Sequence, residues 1–411
     1  MGEAYIIEAC RTPRGIGKYG KGGLSTIHPQ QLGASVLQAL AERTAIDTSE
    51  IDDIIWGTSA QVGPQGGDLG RMAALDAGYS TKASGVTLDR YCGSGITSVS
   101  MAAATIMAGM EDLVVAGGTE MMSMPGRRAG DGPPTMDKGN LRLRAKHPQT
   151  HQGICADAIA TMEKISREDL DELGYQSQQR AANAIDNGYF NKSLVPVHYE
   201  DGTLALDREE YPRPQTTREG LADLKPAFAA MADHPLDDAG TTYRSLILQE
   251  YPDLEIEFVH HAGNSSGVVD GAAALLLASN DYAKAHGLKP RARVVAMANI
   301  GDSPTLMLNA PGPAAKKVPA KAGMTLDDVD LIEVNEAFAV VAEKFIRDLD
   351  VDRAKVNVNG GSIALGHPIG ATGSILIGTL LDELERRDLE RGLVTMCAAG
   401  GMAPAIIIER V

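Results

Sequence analysis

The first candidate for chemistry is a cysteine at the start of a long helix. In LDRYCGSGITSVSMAAATIMAG, residues 88–109, Cys92 stands where a polar, strand-like run meets a run of small and apolar residues. The N-terminal end of a helix favours the thiolate because the helix dipole is positive there. Gly93 and Gly95 leave room for a substrate carbonyl to approach the sulfur. A buried, inert cysteine explains the same stretch equally well.

A second candidate is a histidine in a loop with five glycines. Residues 357–374 read NVNGGSIALGHPIGATGS, and His367 stands between Gly366 and Pro368. Imidazole is suited to taking or giving a proton near neutral pH. A surface histidine fits the same pattern, but a backbone so rich in glycine is typical of a close approach to another group.

Two more stretches place a polar or thiol side chain at the end of an apolar strand. In VNEAFAVVAEKF, residues 334–345, Asn335 and Glu336 follow such a strand, and in LVTMCAAGGMAPAIII, residues 393–408, Cys397 does the same. Strand ends are frequent site positions in α/β sheets. A helix N-cap is an alternative explanation for Asn335.

The elements that must position these residues alternate between strand and helix at both ends of the chain. Short apolar runs between helices predict buried, partly parallel strands. The two ends also resemble one another, because Ile51 corresponds to Val329 and Gly95 to Gly373, and both pairs are 278 residues apart. The shared offset predicts a duplicated α/β unit.

A long segment rich in proline, glycine and charge interrupts this scheme. It covers residues 121–258 and has one convincing helix pair, across residues 154–187. We predict three units: an N-terminal half of residues 1–120 with 259–280, an inserted loop domain of residues 121–258, and a C-terminal half of residues 281–411.

Composition restricts the partners and the location. The net charge of the 411-residue chain is −16, which argues against nucleic acid as a partner. No apolar run approaches the ~18 residues that a membrane span needs. The four cysteines lie far apart, without zinc-ligand spacing or a disulfide framework, so no metal is predicted. The N-terminus does not read as a signal peptide, and we expect a cytoplasmic protein.

Six motifs occur in an order that resembles the thiolase family over the length of the chain. They are RTP at residues 11–13, CGSG at 92–95, AGNSSG at 262–267, NEAF at 335–338, GHP at 366–368 and the cysteine loop from residue 397. Each motif is weak alone, but six in order on a duplicated α/β background are specific. The resemblance implies a five-layer αβαβα fold with a loop domain, and acyl transfer to coenzyme A.

The resemblance also implies a role for each candidate. Cys92 would be the nucleophile, His367 would take its proton, and Cys397 would exchange the proton on the acetyl-CoA carbanion. Asn335 would hold a water that forms one oxyanion site with His367. The backbone N–H groups of Cys92 and Ala399 would form the second oxyanion site.

Coenzyme A is expected as a substrate, and no permanently bound cofactor is implied. By the resemblance, six residues would line the tunnel for the pantetheine arm and the acyl group: His151, Leu224, Phe228, Ala262, Ser266 and Phe338. Between Arg127 and Lys146 there are six basic residues against two acidic ones, which would suit the phosphates of coenzyme A. A solvated or subunit-contact loop explains this charge as well.

The chain departs from the family pattern in three places. Ala399 stands where glycine is commonest, and HHAGN has two histidines where threonine or a small residue is usual. Residues 229–258 are the largest departure, because many relatives need only a handful of residues there. We expect this insertion to shape acyl selectivity or assembly and not to carry the chemistry.

The activity that these observations favour is a 3-ketoacyl-CoA thiolase of the fatty-acid β-oxidation type, working as a homodimer or homotetramer. One alternative is an acetoacetyl-CoA thiolase working in the condensing direction. Another is a thiolase-like protein that binds acyl-CoA without catalysis, which would need neither cysteine, His367 nor Asn335. A cysteine hydrolase is disfavoured by the second cysteine and the duplicated fold.

Overall fold

The structure is a computed structural model that describes residues 2–126 and 135–411. The strands are β1 Ala4–Arg11, β2 Gly15–Ile16, β3 Asp53–Gly57, β4 Val86–Leu88, β5 Leu113–Met121, β6 Val197–His198, β7 Leu204–Leu206, β8 Val269–Ser279, β9 Ala292–Gly301, β10 Leu331–Val334, β11 Arg391–Thr395 and β12 Met402–Arg410. The helices are α1 Pro29–Thr44, α2 Leu69–Asp76, α3 Ser94–Met107, α4 Leu141–Lys146, α5 Gln152–Glu163, α6 Arg167–Asp186, α7 Arg218–Ala222, α8 Ala229–Ala232, α9 Tyr243–Leu248, α10 Asn280–Ala285, α11 Pro311–Lys321, α12 Ala339–Leu349, α13 Ser362–Leu365 and α14 Ile369–Arg387.

The large sheet repeats one strand pattern twice. Its order is β10-β11-β12-β9-β1-β8-β5-β3-β4, and β2 pairs with β8. In the first half β3 runs parallel to β5, which is antiparallel to β8, which is antiparallel to β1. In the second half β10, β11, β12 and β9 follow the same sequence of directions. The predicted duplication is therefore confirmed.

Helices lie on both outer faces of the two half-sheets and between them. Helices α1 and α2 cover β1, β3 and β8, while α11 covers β9 and β12 on the opposite side, with α12 beside it. Between the half-sheets, α3 contacts β3 and β5, and α14 contacts β10, β11 and β5. This arrangement has five layers, αβαβα, as the resemblance implied.

The two middle helices touch where the repeat predicts. Gly95 in α3 and Gly373 in α14 face each other, and a Cβ on Gly373 would lie 2.1 Å from the Ile96 nitrogen. A Cβ on Gly95 would lie 2.7 Å from the Ser374 nitrogen. Only glycine permits this approach, so the equivalent glycines of the two repeats form the contact between the halves.

The inserted segment contributes helices α4 to α9 and the small sheet of β6 and β7. The helix pair expected across residues 154–187 is present as α5 and α6, and they are separated at Lys164, which has a φ of 54°. Helix α6 packs on α12 and α13, and α5 packs on α12 and α9. None of the described helices is long and apolar enough to cross a membrane.

Candidate active site

Cys92 lies in a tight turn immediately before the N-cap of α3. Tyr91 has a φ of +50°, which is uncommon for a residue other than glycine. The turn is fixed because the Tyr91 N–H donates to Asp89 Oδ1 at 2.7 Å and the Ser94 hydroxyl donates to the Tyr91 carbonyl at 2.7 Å. Gly93 is the N-cap, and the Cys92 side chain is nearly buried. The thiol thus stands at the helix end, where the dipole favours its anion.

His367 is buried, which excludes the interpretation as a surface histidine. Its ring Nδ1 lies 2.7 Å from the Thr372 Oγ1, and the Thr372 hydroxyl donates to the Pro368 carbonyl at 3.0 Å. Because that hydroxyl proton is engaged, Nδ1 carries the ring proton and donates to Thr372. The Nε2 atom is then the basic nitrogen of the neutral ring. Gly366, with a φ of +93°, makes the turn that presents the ring.

Asn335 lies beside His367 and is not a helix cap. Helix α12 begins at Ala339 and its N-cap is Phe338, so the N-cap interpretation is wrong. The Asn335 Oδ1 accepts from the Ser362 hydroxyl at 2.5 Å, which leaves the amide nitrogen 3.4 Å from His367 Nε2. The two side chains therefore point toward one space.

Cys397 is buried at the end of β11. Burial raises the pKa of the Cys397 thiol well above its ordinary value, and the nearby Cys92 raises it further. The thiol therefore holds its proton at neutral pH. Cys92, 305 positions away in sequence, is therefore within electrostatic range of Cys397.

The loop after Cys397 turns sharply around Ala399. The Ala398 N–H donates to the Met402 carbonyl at 2.7 Å, and Gly400 and Gly401 both have positive φ. Within the described residues, the Ala399 N–H donates no hydrogen bond. An alanine in place of glycine thus keeps an N–H that can bind an oxyanion.

The sequence reasoning missed the buried groups that hold these residues. Thr372 and Ser362 each hold a site side chain, as described above. Glu120, at the end of β5, accepts the N–H of Ser59 and of Gly370, each at 2.8 Å, and so anchors the loop that carries His367. Glu120 and Gly370 are 250 residues apart, and no local signal joins them.

The residues expected to line the substrate tunnel lie in one region. Leu224 and Ala262 line a cavity of about 270 Å³, together with Tyr211 and Arg213. The Ser266 N–H donates to the Ala337 carbonyl at 3.0 Å.

Three aromatic rings lie side by side in the same region. The Phe228 ring centroid is 5.7 Å from that of His151 and 5.9 Å from that of Phe338.

The basic segment is described only in part. Arg127 and Arg128 lie outside the described residues. Arg144 is buried and pairs with Asp137 at 2.9 Å and with Asp237 at 2.8 Å. This guanidinium is engaged within the protein, so it does not serve a phosphate group.

Family models match most of the chain. The model described as "Thiolase, N-terminal domain" matches residues 4–232, and "Thiolase, C-terminal domain" matches residues 288–410. With the duplicated α/β fold and the paired cysteines, these matches define an acyl-CoA acetyltransferase. The chain belongs to the thiolase family.

Named relatives cover the whole chain but differ in substrate. A beta-ketoadipyl-CoA thiolase of Acinetobacter baylyi is 39% identical over 100% of both chains. A steroid 3-ketoacyl-CoA thiolase of Mycobacterium tuberculosis is 38% identical over 100% of this chain and 95% of its own length. An acetyl-CoA acetyltransferase of Escherichia coli is 39% identical over 100% of both chains.

Solved structures agree in fold. Human mitochondrial 3-ketoacyl-CoA thiolase in complex with CoA has a TM-score of 0.84 at 33% identity, covering 100% of this chain and 98% of that one. The acetyl-CoA acetyltransferase of Bacillus anthracis has a TM-score of 0.83 at 34% identity, covering 100% and 99%. The five-layer fold is thus shared with structures from bacteria and from human mitochondria.

Proposed function

We propose that this protein cleaves 3-ketoacyl-CoA with coenzyme A, giving acetyl-CoA and an acyl-CoA shortened by the acetyl unit. The observation that carries the proposal is the pair of neighbouring thiols, Cys92 at a helix N-terminus and Cys397 kept protonated by burial. In this proposal, one thiol serves as the nucleophile and the other as the proton donor. A protein that only binds acyl-CoA would need neither.

In the first step the Cys92 sulfur attacks the 3-keto carbon. His367 Nε2 accepts the thiol proton, and Thr372 holds the opposite ring nitrogen. The bond between the second and third carbons then breaks, and its electron pair leaves with the acetyl-CoA fragment as an enolate. Cys397 gives its proton to the α-carbon of that fragment, which departs as acetyl-CoA.

In the second step the thiol of coenzyme A releases the acyl group. Cys397 first recovers a proton from His367, which returns the imidazole to its neutral form. The coenzyme A sulfur then attacks the Cys92 thioester while His367 Nε2 takes the incoming thiol proton. The tetrahedral intermediate collapses to acyl-CoA, and His367 returns the proton to the departing Cys92 sulfur. Protons and electrons therefore balance over the cycle.

Two sets of donors stabilise the oxygen anions. The Asn335 amide and the His367 ring lie 3.4 Å apart and enclose one position for an oxygen or a bound water. The Cys92 and Ala399 backbone N–H groups supply the second. Each donor of this kind contributes on the order of 10²–10³-fold in rate.

Coenzyme A is the second substrate. We propose that it binds in the tunnel that runs from Leu224 and Ala262 toward Phe338. The cavity at its mouth carries Arg213, whose guanidinium lies 5.6 Å from the Tyr211 ring. This cation can face a phosphate of the ligand. The proposal is supported by the CoA complex of the human neighbour.

The condensing direction is the second candidate. It is favoured by the relatives named acetyl-CoA acetyltransferase, which are as similar to this chain as the beta-ketoadipyl-CoA thiolases. The same residues serve both directions, so the relative concentrations of acetyl-CoA and free coenzyme A decide between them.

Thiolysis assays with acetoacetyl-CoA and with longer 3-ketoacyl-CoA substrates test the proposal. We expect acetyl-CoA to form in step with consumption of coenzyme A for at least one substrate. Absence of cleavage and of condensation over all substrates would contradict it.

A further inference from the structure

Five aromatic rings form one continuous row beside the candidate site. Beyond the rings of His151, Phe228 and Phe338, the row extends at one end to Tyr243 and at the other to His260. The Tyr243 ring centroid is 5.5 Å from that of His151, and the His260 ring centroid is 5.7 Å from that of Phe338. These separations are in the range of ~4.5–7 Å for interacting rings. The row is therefore one rigid wall.

Both ends of the row come from the departures of this chain from the family pattern. Tyr243 begins α9 inside the insertion of residues 229–258, and His260 belongs to HHAGN. The His260 Nδ1 lies 2.7 Å from Asp157 Oδ1, which also accepts the His260 N–H at 2.9 Å. The central rings are those expected along the tunnel. Tyr243 from the insertion and His260 from HHAGN thus extend a row of rings whose three central members are expected from the family pattern.

The insertion is held firmly where it meets this wall. The Thr150 hydroxyl donates to the Tyr243 carbonyl at 2.7 Å. Asp237, in the turn between α8 and α9, pairs with the buried Arg144 at 2.8 Å. Tyr243 itself is 4% exposed. A tyrosine fixed in this way cannot move aside as a flexible methionine could.

The tyrosine end of the wall belongs to the same core cluster as Cys397. Helix α5 begins directly after His151 and carries Cys155 four residues further on. Cys155, Tyr243 and Cys397 belong to one continuous cluster of buried side chains. Four residues of helix span about 6 Å, so His151 lies one turn of helix from Cys155, which shares this cluster with Cys397.

We infer that Tyr243 is a specificity-determining residue that closes the acyl end of the pocket through His151 and restricts the enzyme to short 3-ketoacyl groups. The inference rests on the proposed function and names its substrate class. A long acyl chain would have to pass through the space that the Tyr243 ring fills. A short chain ends before it.

The experiment compares Tyr243→Ala, Tyr243→Leu and Tyr243→Phe with the wild-type protein. The kcat/KM is measured for acetoacetyl-CoA, 3-ketohexanoyl-CoA and 3-ketodecanoyl-CoA. One methylene in an apolar pocket changes discrimination by ~10–200-fold. We expect Tyr243→Ala to raise the preference for 3-ketodecanoyl-CoA over acetoacetyl-CoA by about tenfold or more. Tyr243→Leu should fall between, and Tyr243→Phe should keep the wild-type ratio.

The matched control is Glu255→Gln, an exposed position of the same insertion, which should leave every rate unchanged. Thermal unfolding identifies the variants that fold. If Tyr243→Ala does not fold, Tyr243→Leu still tests the inference. An unchanged ratio in a folded Tyr243→Leu variant would overturn the inference. So would an equal rise in KM for all three substrates, because the wall would then line the cofactor arm. A wild-type protein that neither cleaves nor forms any 3-ketoacyl-CoA would overturn the proposed function as well.

Discussion

At the level of residues, the two thiols of the site differ in surroundings, and we propose that they differ in role. Replacing Cys397 by alanine removes the proposed proton donor for the α-carbon but leaves Cys92 and His367 in place. We expect the variant to keep acyl exchange between a simple acyl-CoA and labelled coenzyme A. Thiolysis of acetoacetyl-CoA should fall by on the order of 10²–10⁴-fold, the usual contribution of a general acid.

Cys92→Ala is the matched variant, and it should lose exchange and cleavage together. Equal loss of both activities in a folded Cys397→Ala variant would show that the roles are not divided in this way.

Titration of a third cysteine, Cys10, is expected to lower the stability of the protein at alkaline pH. Burial raises the pKa of Cys10 from its ordinary value of 9.0 to about 12. The folded state therefore favours the protonated thiol. That stability is fully present below pH 9.0 and is lost as the pH rises toward about 12. The loss is about 1.4 kcal/mol for each pH unit.

Urea unfolding at a series of pH values measures this effect. Above pH 9.0 the unfolding free energy of Cys10→Ala should fall less steeply with pH than that of the wild-type protein. Parallel pH profiles would exclude titration of Cys10 as a cause.

The roles of residues could be predicted from sequence only in part. The glycine-rich loop and the strand ends led to His367, Asn335 and Cys397 as candidates. Their hydrogen-bonding partners are residues of ordinary type, and long-range packing brings some of them to the site. Glu120 is the clearest case, because it contacts the His367 loop only after β5 and α14 have come together.

At the level of elements, the contact between α3 and α14 depends on the absence of a side chain. A Cβ on Gly373 would collide with backbone that cannot move independently. We expect Gly373→Ala to lower the unfolding free energy by about 1–3 kcal/mol, the usual cost of overpacking. Urea denaturation measures the difference.

Gly312 in α11 provides the control for that substitution. No heavy atom lies within 4 Å of the position that its Cβ would take. Gly312→Ala should be neutral or stabilise the protein by up to about 1 kcal/mol, because alanine favours helix. Equal effects of the two substitutions would mean that the contact between the repeats is not strained.

The inserted segment was predicted less completely than the repeats. The shared offset of 278 residues led to the duplicated halves and to the pairing of Gly95 with Gly373. No comparable sequence pattern indicates that residues 229–258 contribute to the core. The structure nevertheless buries Tyr243, Leu246 and Ile247 in the hydrophobic core. Burial of this kind depends on contact with α5, which only the folded chain brings near α9.

At the level of the whole molecule, the β4 edge of the large sheet is suited to contact with a second copy of this chain. Strand β4 is last in the sheet order, and the described strands pair with it only through β3. Val86 on β4 and Met101 on α3 are 41% and 44% exposed. An apolar edge strand left open invites pairing with another chain. We therefore expect a homo-oligomer built on at least a dimer.

Light scattering at micromolar concentration tests this expectation. The wild-type protein should have at least twice the mass of one chain, and Val86→Lys should shift it toward the monomer, because a charge on an edge opposes pairing. Met162→Lys, at an exposed apolar position in the loop domain, is the control and should leave the mass unchanged. A stable wild-type monomer would refute the expectation. The cytoplasmic location and the three domain boundaries also stay predictions.

Acylation of Cys92 is the central claim, and mass spectrometry of the intact site tests it most directly. The protein is incubated with acetyl-CoA in the absence of free coenzyme A, trapped with acid and digested. We predict that the acetyl group lies on the peptide that contains Cys92 and that added coenzyme A removes it. An acetyl group on Cys397, or on none of the cysteines, would contradict the account.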